Sequence, residues 1–144
     1  MPKDYPDWFG QPQYPKWGTP TYVRVQESIM ASAQEILLEQ YGKGQLIGGH
    51  IYTYNDSGSQ EDSVYITIDD TYFAFDNIRT LFERNITKPN LTPIYIVEYN
   101  TTQPRFCIGL SPGIIFDKKL IIYYKNNGAY GVYVEGQFMY YLIE

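Results

Sequence analysis

The stretch of sequence that decides the fold runs from Ile36 to Tyr54 and reads ILLEQYGKGQLIGGHIYTY. Two apolar, β-prone runs flank Gly42-Lys43-Gly44, and glycine reaches the positive φ angles of a tight turn without a Cβ clash. Beyond the turn, Gly48 and Gly49 remove two side chains from the second run, which usually marks a β-bulge or another backbone lying close. The stretch therefore predicts a long, bent β-hairpin in the middle of a β-sandwich.

Upstream of this stretch, the pattern predicts one strand and leaves one segment open. Thr21–Gln26 alternates as a strand buried on one face does. Residues 27–40 fit a helix as well as a strand, because apolar residues recur there at near-helical spacing. We prefer a strand for the second half of this segment, because Ile36–Leu38 leads directly into the glycine turn.

Downstream, turn-forming residues separate further β-prone runs. The predicted strands are Ser63–Asp69, Tyr72–Phe75, Pro93–Tyr99, Gln103–Leu110, Ile114–Tyr124, Gly131–Glu135 and Phe138–Ile143. Asp69-Asp70 and Glu135-Gly136 are turn signals, and Asn127-Gly128 is the strongest one because both residues tolerate positive φ. A short helix is expected over residues 76–82, with Asp76 as its N-cap.

The number and spacing of these strands indicate a single all-β domain. Short strands at this spacing, without an internal repeat, are typical of a sandwich or barrel. A chain of 144 residues is long enough for one domain with a substantial core. We therefore expect one antiparallel β-sandwich over residues 21–144, preceded by an extended arm over residues 1–20.

The arm differs in composition from the rest of the chain. Five of the nine prolines fall in residues 1–20, which excludes a helix and weakens strand pairing because proline has no N–H to donate. The segment is nevertheless too aromatic for a solvated linker. We expect its large rings to be anchored on its own domain or on a neighbouring molecule. The predicted anchors are Tyr5, Trp8, Phe9, Tyr14 and Trp17.

Two predicted strands near the C-terminus are apolar on both faces. They are Leu120–Tyr124 and Phe138–Ile143, whereas a strand with one face in water should alternate. The arm, a loop or another subunit must therefore cover the second face. We predict a subunit interface that includes Tyr123, Tyr141 and Ile143, within a homo-oligomer.

Charge and hydropathy exclude two classes of partner. The net charge is −5, and the 11 lysines and arginines are scattered, whereas a nucleic-acid groove needs them on one face. No run approaches the ~20 apolar residues of a membrane span, and the first residues lack the apolar core of a signal peptide. We expect a protein made in the cytoplasm that binds neither nucleic acid nor membrane.

Residues with catalytic or metal-binding chemistry are few and isolated. His50 is the only histidine and Cys107 the only cysteine, which excludes a histidine-rich metal site and an intrachain disulfide. The alternation around Cys107 predicts a small buried core residue, and we expect His50 to lie in a sheet or at the surface. The acidic loop 55–62 lacks the EF-hand pattern and is expected to be solvated. We predict no catalytic residue, no cofactor and no metal, hence no enzyme.

Several short motifs resemble those of small virion proteins of tailed bacteriophages. The motifs are Lys3–Trp8, Glu35–Gly49, Ser111–Phe116 and Tyr140–Glu144. The resemblance implies a jelly-roll-like β-sandwich, commonly trimeric, on the surface of the capsid or tail. It implies a decoration or accessory protein of the virion, with its own copies and other virion proteins such as the major capsid protein as partners. It implies no catalytic residue.

Two functions of other classes compete with this one. A carbohydrate-binding module for host attachment would use exposed aromatic rings, for which Trp8, Trp17 and the tyrosine-rich loops are candidates. Exposed rings on one face without a protein partner would favour sugar binding, whereas rings buried against a second chain would favour assembly. A small hydrolase is the weaker alternative, and a cleft with paired carboxylates would support it.

The arm yields the first testable prediction. Deleting residues 2–18 should leave a folded β-sandwich with near-native circular dichroism, because the arm has neither helix nor sheet to contribute. The same deletion should abolish incorporation into the particle, because it removes the aromatic anchors. Incorporation of the truncated protein at normal occupancy, measured by mass spectrometry of purified particles, would contradict this prediction.

Overall fold

The computed structural model describes residues 19–54, 57–89 and 92–143, which form two antiparallel sheets and one short α-helix, α1 (Ile78–Glu83). The predicted arm lies outside the described residues except for Thr19 and Pro20, and so do all five of its anchors. The strands are β1 (Thr21–Ile29), β2 (Gln34–Tyr41), β3 (Gly44–Tyr54), β4 (Ser63–Ile68), β5 (Thr71–Ala74), β6 (Ile94–Asn100), β7 (Arg105–Leu110), β8 (Ile114–Phe116), β9 (Lys119–Lys125) and β10 (Val132–Leu142).

The strand order identifies a jelly roll. One sheet has the order β1-β10-β3-β7-β6, with β8 also paired to β3, and the other has the order β2-β9-β4-β5. The first described strand thus pairs with the last, β2 pairs with β9, and β4 pairs with β5. A long hairpin rolled over on itself produces this pairing in two packed sheets. The all-β, jelly-roll-like sandwich expected from the sequence is confirmed.

The central hairpin prediction is wrong, because β2 and β3 lie in different sheets. Gly42 has a φ of 113°, and its N–H donates to the Lys118 carbonyl oxygen at 2.7 Å. The glycine turn therefore carries the chain across the edge of the sandwich. Leu38 and Leu46 both lie in the core, so the two apolar runs contribute from opposite sheets.

The helix alternative over residues 27–40 is also wrong. β1 continues to Ile29, and β2 begins at Gln34 after a turn in which Ser32 has a φ of 63°. The pairing of β2 with β9 shifts register between Ile36 and Leu38. This bulge buries the consecutive residues Leu37 and Leu38, which interrupts strict alternation and produces the helix-like spacing.

Gly48 and Gly49 lie where the sequence predicted a bulge or a close backbone. β3 and β10 shift register between Met139 and Tyr140, opposite this part of β3. A Cβ added to Gly49 would lie 2.5 Å from the Gln137 carbonyl oxygen, whereas one added to Gly48 would meet nothing within 4 Å. Close packing therefore requires a glycine at position 49 but not at position 48.

Two strand boundaries in the last third differ from the prediction. Ile114–Tyr124 is not one strand, because Asp117 and Lys118 carry the chain from β8 in one sheet to β9 in the other. The Asp69 carboxylate holds this corner, since its Oδ1 accepts the N–H groups of Asp117 at 2.9 Å and Lys118 at 2.6 Å. These bonds, with that of Lys118 foremost, lower the pKa of Asp69.

Glu135-Gly136 is not a turn but lies inside the continuous strand β10. A Cβ at Gly136 would lie 2.7 Å from a ring carbon of Phe138, and Phe138 is fully buried. The glycine is present because the aromatic ring occupies the space of its missing side chain. It therefore reflects packing and not chain reversal.

The Asn127-Gly128 turn uses a different mechanism from the one predicted. Neither residue adopts positive φ. The buried Asn126 side chain organises the loop instead, because its Nδ2 donates to the carbonyl oxygens of Ile29 at 3.0 Å and Tyr130 at 2.8 Å. Its Oδ1 accepts the N–H of Gly128 at 2.9 Å, so one side chain supplies the hydrogen bonds of the crossing between β9 and β10.

The helix prediction is correct in place and off by one residue at its cap. Asn77, not Asp76, is the N-cap, and its Oδ1 accepts the N–H of Thr80 at 2.8 Å. Ile78 and Leu81 are buried as expected. Phe82 is more exposed, but its ring stacks on Tyr99 with a centroid separation of 4.1 Å.

The acidic loop also differs from expectation at its end. A short 3₁₀ turn covers Ser57–Glu61, and residues 55 and 56 lie outside the described residues. Asp62 is fully buried, and its carboxylate accepts the Tyr124 hydroxyl at 2.6 Å and the Asn127 N–H at 2.9 Å. Asp62 therefore ties this loop to β9 and to the loop that follows it, and is not a solvated side chain.

The adjacent glycines provide a matched pair of variants. Gly49→Ala should destabilise the fold by about 1–3 kcal/mol, because the added methyl group has no room beside Gln137 and Phe138. Gly48→Ala should leave stability unchanged or raise it by less than about 1 kcal/mol, because its Cβ enters open space. Urea unfolding midpoints test both, and equal midpoints for Gly49→Ala and the wild type would refute the close-packing interpretation.

Candidate functional site

The outer face of the six-stranded sheet carries an open groove that runs across β3, β7 and β6. Its volume is about 360 Å³, within the ~300–1,000 Å³ typical of small-molecule sites. A second cavity of about 140 Å³ adjoins it toward β1 and β10, and the two share Gly49 and His50. The lining residues used below are Tyr22, His50, Tyr52, Tyr95, Cys107, Gly109, Gln137 and Met139.

Glycine and tyrosine together shape the larger cavity. Gly109 lies opposite Tyr95 in the sheet, and a Cβ added to Gly109 would lie 2.7 Å from the Cε2 and Oη atoms of Tyr95. The tyrosine ring therefore lies across bare backbone, where any other residue would push it away. The result is a half-buried aromatic platform in the groove.

A row of polar groups leads from this platform across the sheet. The register places Gly109 opposite His50, His50 opposite Gln137, and Gln137 opposite Arg24. Because residues directly opposite each other share a face of the sheet, the imidazole and the amide are neighbours in the groove. Both groups can donate and accept hydrogen bonds.

An ion pair neutralises the charge at the β1 end of this row. The Arg24 guanidinium donates to the Glu135 carboxylate, and Gln137 Nε2 donates to the same carboxylate oxygen at 3.3 Å. The hydrogen bond from Arg24 is the main cause of the lowered pKa of Glu135. Neither charge is therefore available to hold a strongly ionic ligand by itself.

Cys107 is buried, as the sequence predicts. It lies on the side of β7 that lines this groove, whereas its neighbours Phe106 and Ile108 pack between the two sheets. Burial raises the pKa of its thiol to about 11. The thiol is therefore protonated at neutral pH, which is the reverse of what a nucleophilic cysteine requires.

Glu98 lies opposite Cys107 on β6. Its Oε1 atom is buried and accepts no hydrogen bond among the described residues, and the nearest cation is Arg105, whose Nε lies 3.7 Å away. This separation exceeds that of a hydrogen bond. Glu98 is therefore held by a long ion pair, and it lines neither cavity of the groove.

His50 lies in a strand, as predicted, at the junction of the two cavities. Within the described ranges, no three His, Cys, Asp or Glu side chains lie close enough together to hold a metal ion. No helix in the described part of the chain is long and apolar enough to cross a membrane.

The opposite face of the sandwich carries a second candidate surface, which we call the tyrosine patch. On the outer side of the four-stranded sheet, Tyr72 lies between Tyr65 and Tyr123, with ring centroids 5.6 and 6.0 Å away. Ile36 and Ile121 border these rings through the register of β2, β9 and β4. Tyr72 is 53% exposed and Ile36 43% exposed, so the patch presents apolar area to solvent.

The three predicted interface residues are not brought together by the structure. Tyr123 belongs to the tyrosine patch. Tyr141 lies in β10 of the other sheet, paired with Gln45, and Ile143 follows that strand, where its N–H donates to the Lys43 carbonyl oxygen at 2.7 Å. Only Tyr123 is therefore placed on a shared apolar surface.

Sequence reasoning missed most residues of both surfaces. Tyr95 and Gln137 were not singled out, and neither were Tyr65 and Tyr72. The usable signal was the alternation itself, because β4 places Tyr65 on the face opposite the buried Val64 and Ile66.

Comparison with other proteins provides no family for this chain. The sequence matches no protein-family model and no curated protein.

The protonated thiol leads to a prediction of reactivity. With a pKa of about 11 instead of 9.0, Cys107 should have about 100-fold less thiolate at neutral pH than an ordinary cysteine. Iodoacetamide should therefore modify the native protein slowly, and the rate should keep rising with pH above 9.0. The urea-unfolded protein is the control and should react at the ordinary rate; equally fast modification of the native protein would contradict the assignment.

Proposed function

We propose that this chain is a non-enzymatic structural protein of a tailed-phage virion, a decoration or accessory protein that self-associates through the tyrosine patch. The observation that carries the proposal is the cluster of three tyrosine rings on the outer face of the four-stranded sheet, in which Tyr72 and the adjacent Ile36 are exposed. The virion setting rests on the resemblance of the short sequence motifs to phage virion proteins.

The composition of the patch supports a protein partner. Its centre combines Tyr65, Tyr72 and Tyr123 with two isoleucines, and tyrosine is among the residues enriched in the buried centres of interfaces. Polar residues border the centre: Tyr41 donates its hydroxyl to Glu39 at 2.8 Å, and Lys119 lies opposite Tyr41. An apolar centre with a polar rim is the usual anatomy of a protein interface.

The position of the patch supports contact between sheet faces. β5 is a four-residue edge strand, and a short edge limits unwanted edge-to-edge pairing. Tyr72 points outward from this strand, opposite Thr67 of β4, and its ring leans toward the sheet interior to meet Tyr123. A second copy can therefore cover the rings without extending the sheet.

The chemistry of the described residues supports a structural role. The buried carboxylate of Asp62 is engaged by Tyr124 and Asn127, and Asp69 is engaged by backbone N–H groups. The Cys107 thiol is protonated at neutral pH. The two carboxylates hold loops of the sandwich together, which suits a component that must persist in an assembled particle.

In the proposed assembly, the sandwich forms a homo-oligomer, which is a trimer if the resemblance to phage virion proteins holds. The arm docks on other virion proteins such as the major capsid protein. The jelly roll is a common architecture of capsid domains. The arm and the patch then have separate tasks, attachment to the particle and contact between copies.

A charge placed in the patch tests self-association. Tyr72→Lys should weaken the oligomer by roughly 30-fold or more in dissociation constant, because burying an unpaired ammonium group costs more than about 2 kcal/mol. Tyr130→Lys is the matched control, since Tyr130 is 76% exposed in the loop before β10, outside the patch. Sedimentation velocity over a concentration series measures both.

Two results would contradict the proposal. One is a wild-type protein that stays monomeric at every concentration reached, and the other is an oligomer that Tyr72→Lys and Tyr130→Lys weaken equally. The same experiment gives the number of subunits, and a stoichiometry other than three would replace the trimer while leaving the interface in place.

A further inference from the structure

We propose that the groove on the outer face of the six-stranded sheet binds a pyranose ring of a neutral saccharide. In this arrangement one apolar C–H face of the sugar stacks on Tyr95, and its hydroxyl groups bond to His50 and Gln137. This activity goes beyond the proposed assembly function and uses the opposite face of the sandwich.

The first argument is the combination of a platform with bare backbone. The Tyr95 ring lies across Gly109, so it is supported from below by backbone and cannot tilt into the sheet. An aromatic face carries partial negative charge and attracts the weakly positive C–H groups of a sugar ring. Tyr52 and Val97 border the same cavity and provide apolar walls at its sides.

The second argument is the polarity of the row beside the platform. A sugar hydroxyl both donates and accepts, and it is best matched by groups that do the same. The imidazole of His50 and the amide of Gln137 are such groups, and they lie directly opposite each other on β3 and β10.

The third argument is charge, which separates saccharides from other flat ligands. A nucleotide would also stack on an aromatic ring, but its phosphate needs a free cation. The two arginines that border this row each face a carboxylate: Arg24 donates to Glu135, and Arg105 forms an ion pair with Glu98 at 3.7 Å. The chain also carries a net charge of −5. A neutral ligand with one apolar face and a rim of hydroxyl groups matches the aromatic platform, the polar row and the paired charges of this groove.

The test begins with the full-length protein on a printed array of bacterial and mammalian surface glycans. Retention of one or more neutral glycans is the expected result. Each retained glycan is then added to ¹⁵N-labelled wild-type protein as the free oligosaccharide, and the amide shifts should change around Gly49, His50, Gly109 and Gln137. Saturation with the same oligosaccharide should also slow alkylation of Cys107, which lies in the groove.

Variants assign the binding to named side chains. His50→Ala and Gln137→Ala should each weaken the affinity by about tenfold, the loss of one hydrogen bond to a ligand. Tyr95→Leu should weaken it more, because it removes the platform. Tyr130→Lys, in the loop before β10 and outside both the groove and the tyrosine patch, is the control and should bind the free oligosaccharide as the wild type does. Because this binding is measured with the free oligosaccharide, its outcome is separate from that of self-association through the tyrosine patch.

Three results would overturn the proposal. The first is retention of no glycan by the wild type. The second is retention of charged glycans only, with binding lost as salt is added. The third is binding of a neutral glycan that the groove variants leave unchanged and that deletion of residues 2–18 abolishes. That result would assign sugar binding to the aromatic arm. The amide chemical shifts and the alkylation of Cys107 are measured on the wild type. They therefore test binding in the groove even if one of the variants fails to fold.

Discussion

The six-stranded sheet depends on the space that two glycines leave for the ring of Phe138. Gly136 precedes Phe138 by two residues in β10, and Gly49 lies opposite it on β3. A Cβ at either position would come within 2.7–3.0 Å of a ring carbon, and protein interiors have no spare volume for such overlap. This contact fixes the register of β3 against β10, and β10 in turn carries β1 on its other side.

The crossings between the sheets depend on polar side chains in place of strand pairing. Each time the chain leaves one sheet for the other, its ladder hydrogen bonds end, and the exposed backbone groups need new partners. Asp69 supplies them at the β8–β9 corner, and Asn126 supplies them between β9 and β10. Asp62 joins a third loop to the same region through Tyr124 and Asn127. The jelly roll is therefore held at its edges by a few short polar side chains whose oxygen and nitrogen atoms face backbone.

The abundance of tyrosine serves both outer faces of the sandwich. On the four-stranded sheet, the rings contact one another and form a continuous apolar surface, which suits a protein partner. On the six-stranded sheet, rings lie beside glycine, histidine and glutamine, which opens a groove with apolar sides and a polar row across it. Since the two faces point in opposite directions, occupation of one does not obstruct the other. A protein with such a division of its faces can bind a partner on one face and still present the other.

The strand content and the antiparallel sandwich could be predicted from sequence because they depend on local properties. Alternation, β-prone residues and turn formers act over a few neighbours, and they located nearly every strand and the helix at 78–83. The single cysteine and the single histidine likewise limited the available chemistry, because the number of each residue type does not depend on how the chain folds.

Only the tertiary structure decided which strands pair and which side chains meet. A glycine turn has the same local signature whether it joins two strands of one sheet or crosses between two sheets, so Gly42-Lys43-Gly44 could not reveal its role. The sequence placed a turn at Gly136, but a glycine is needed there because the Phe138 ring occupies the space of a side chain, and not because the backbone adopts a positive φ angle. Tyr95 meets Gly109, and His50 meets Gln137, only through the register of strands that are 14 to 87 residues apart along the chain. The row across β3 and β10 and the contact of Tyr72 with Tyr123 come from residues far apart in the sequence, where local sequence preferences no longer act.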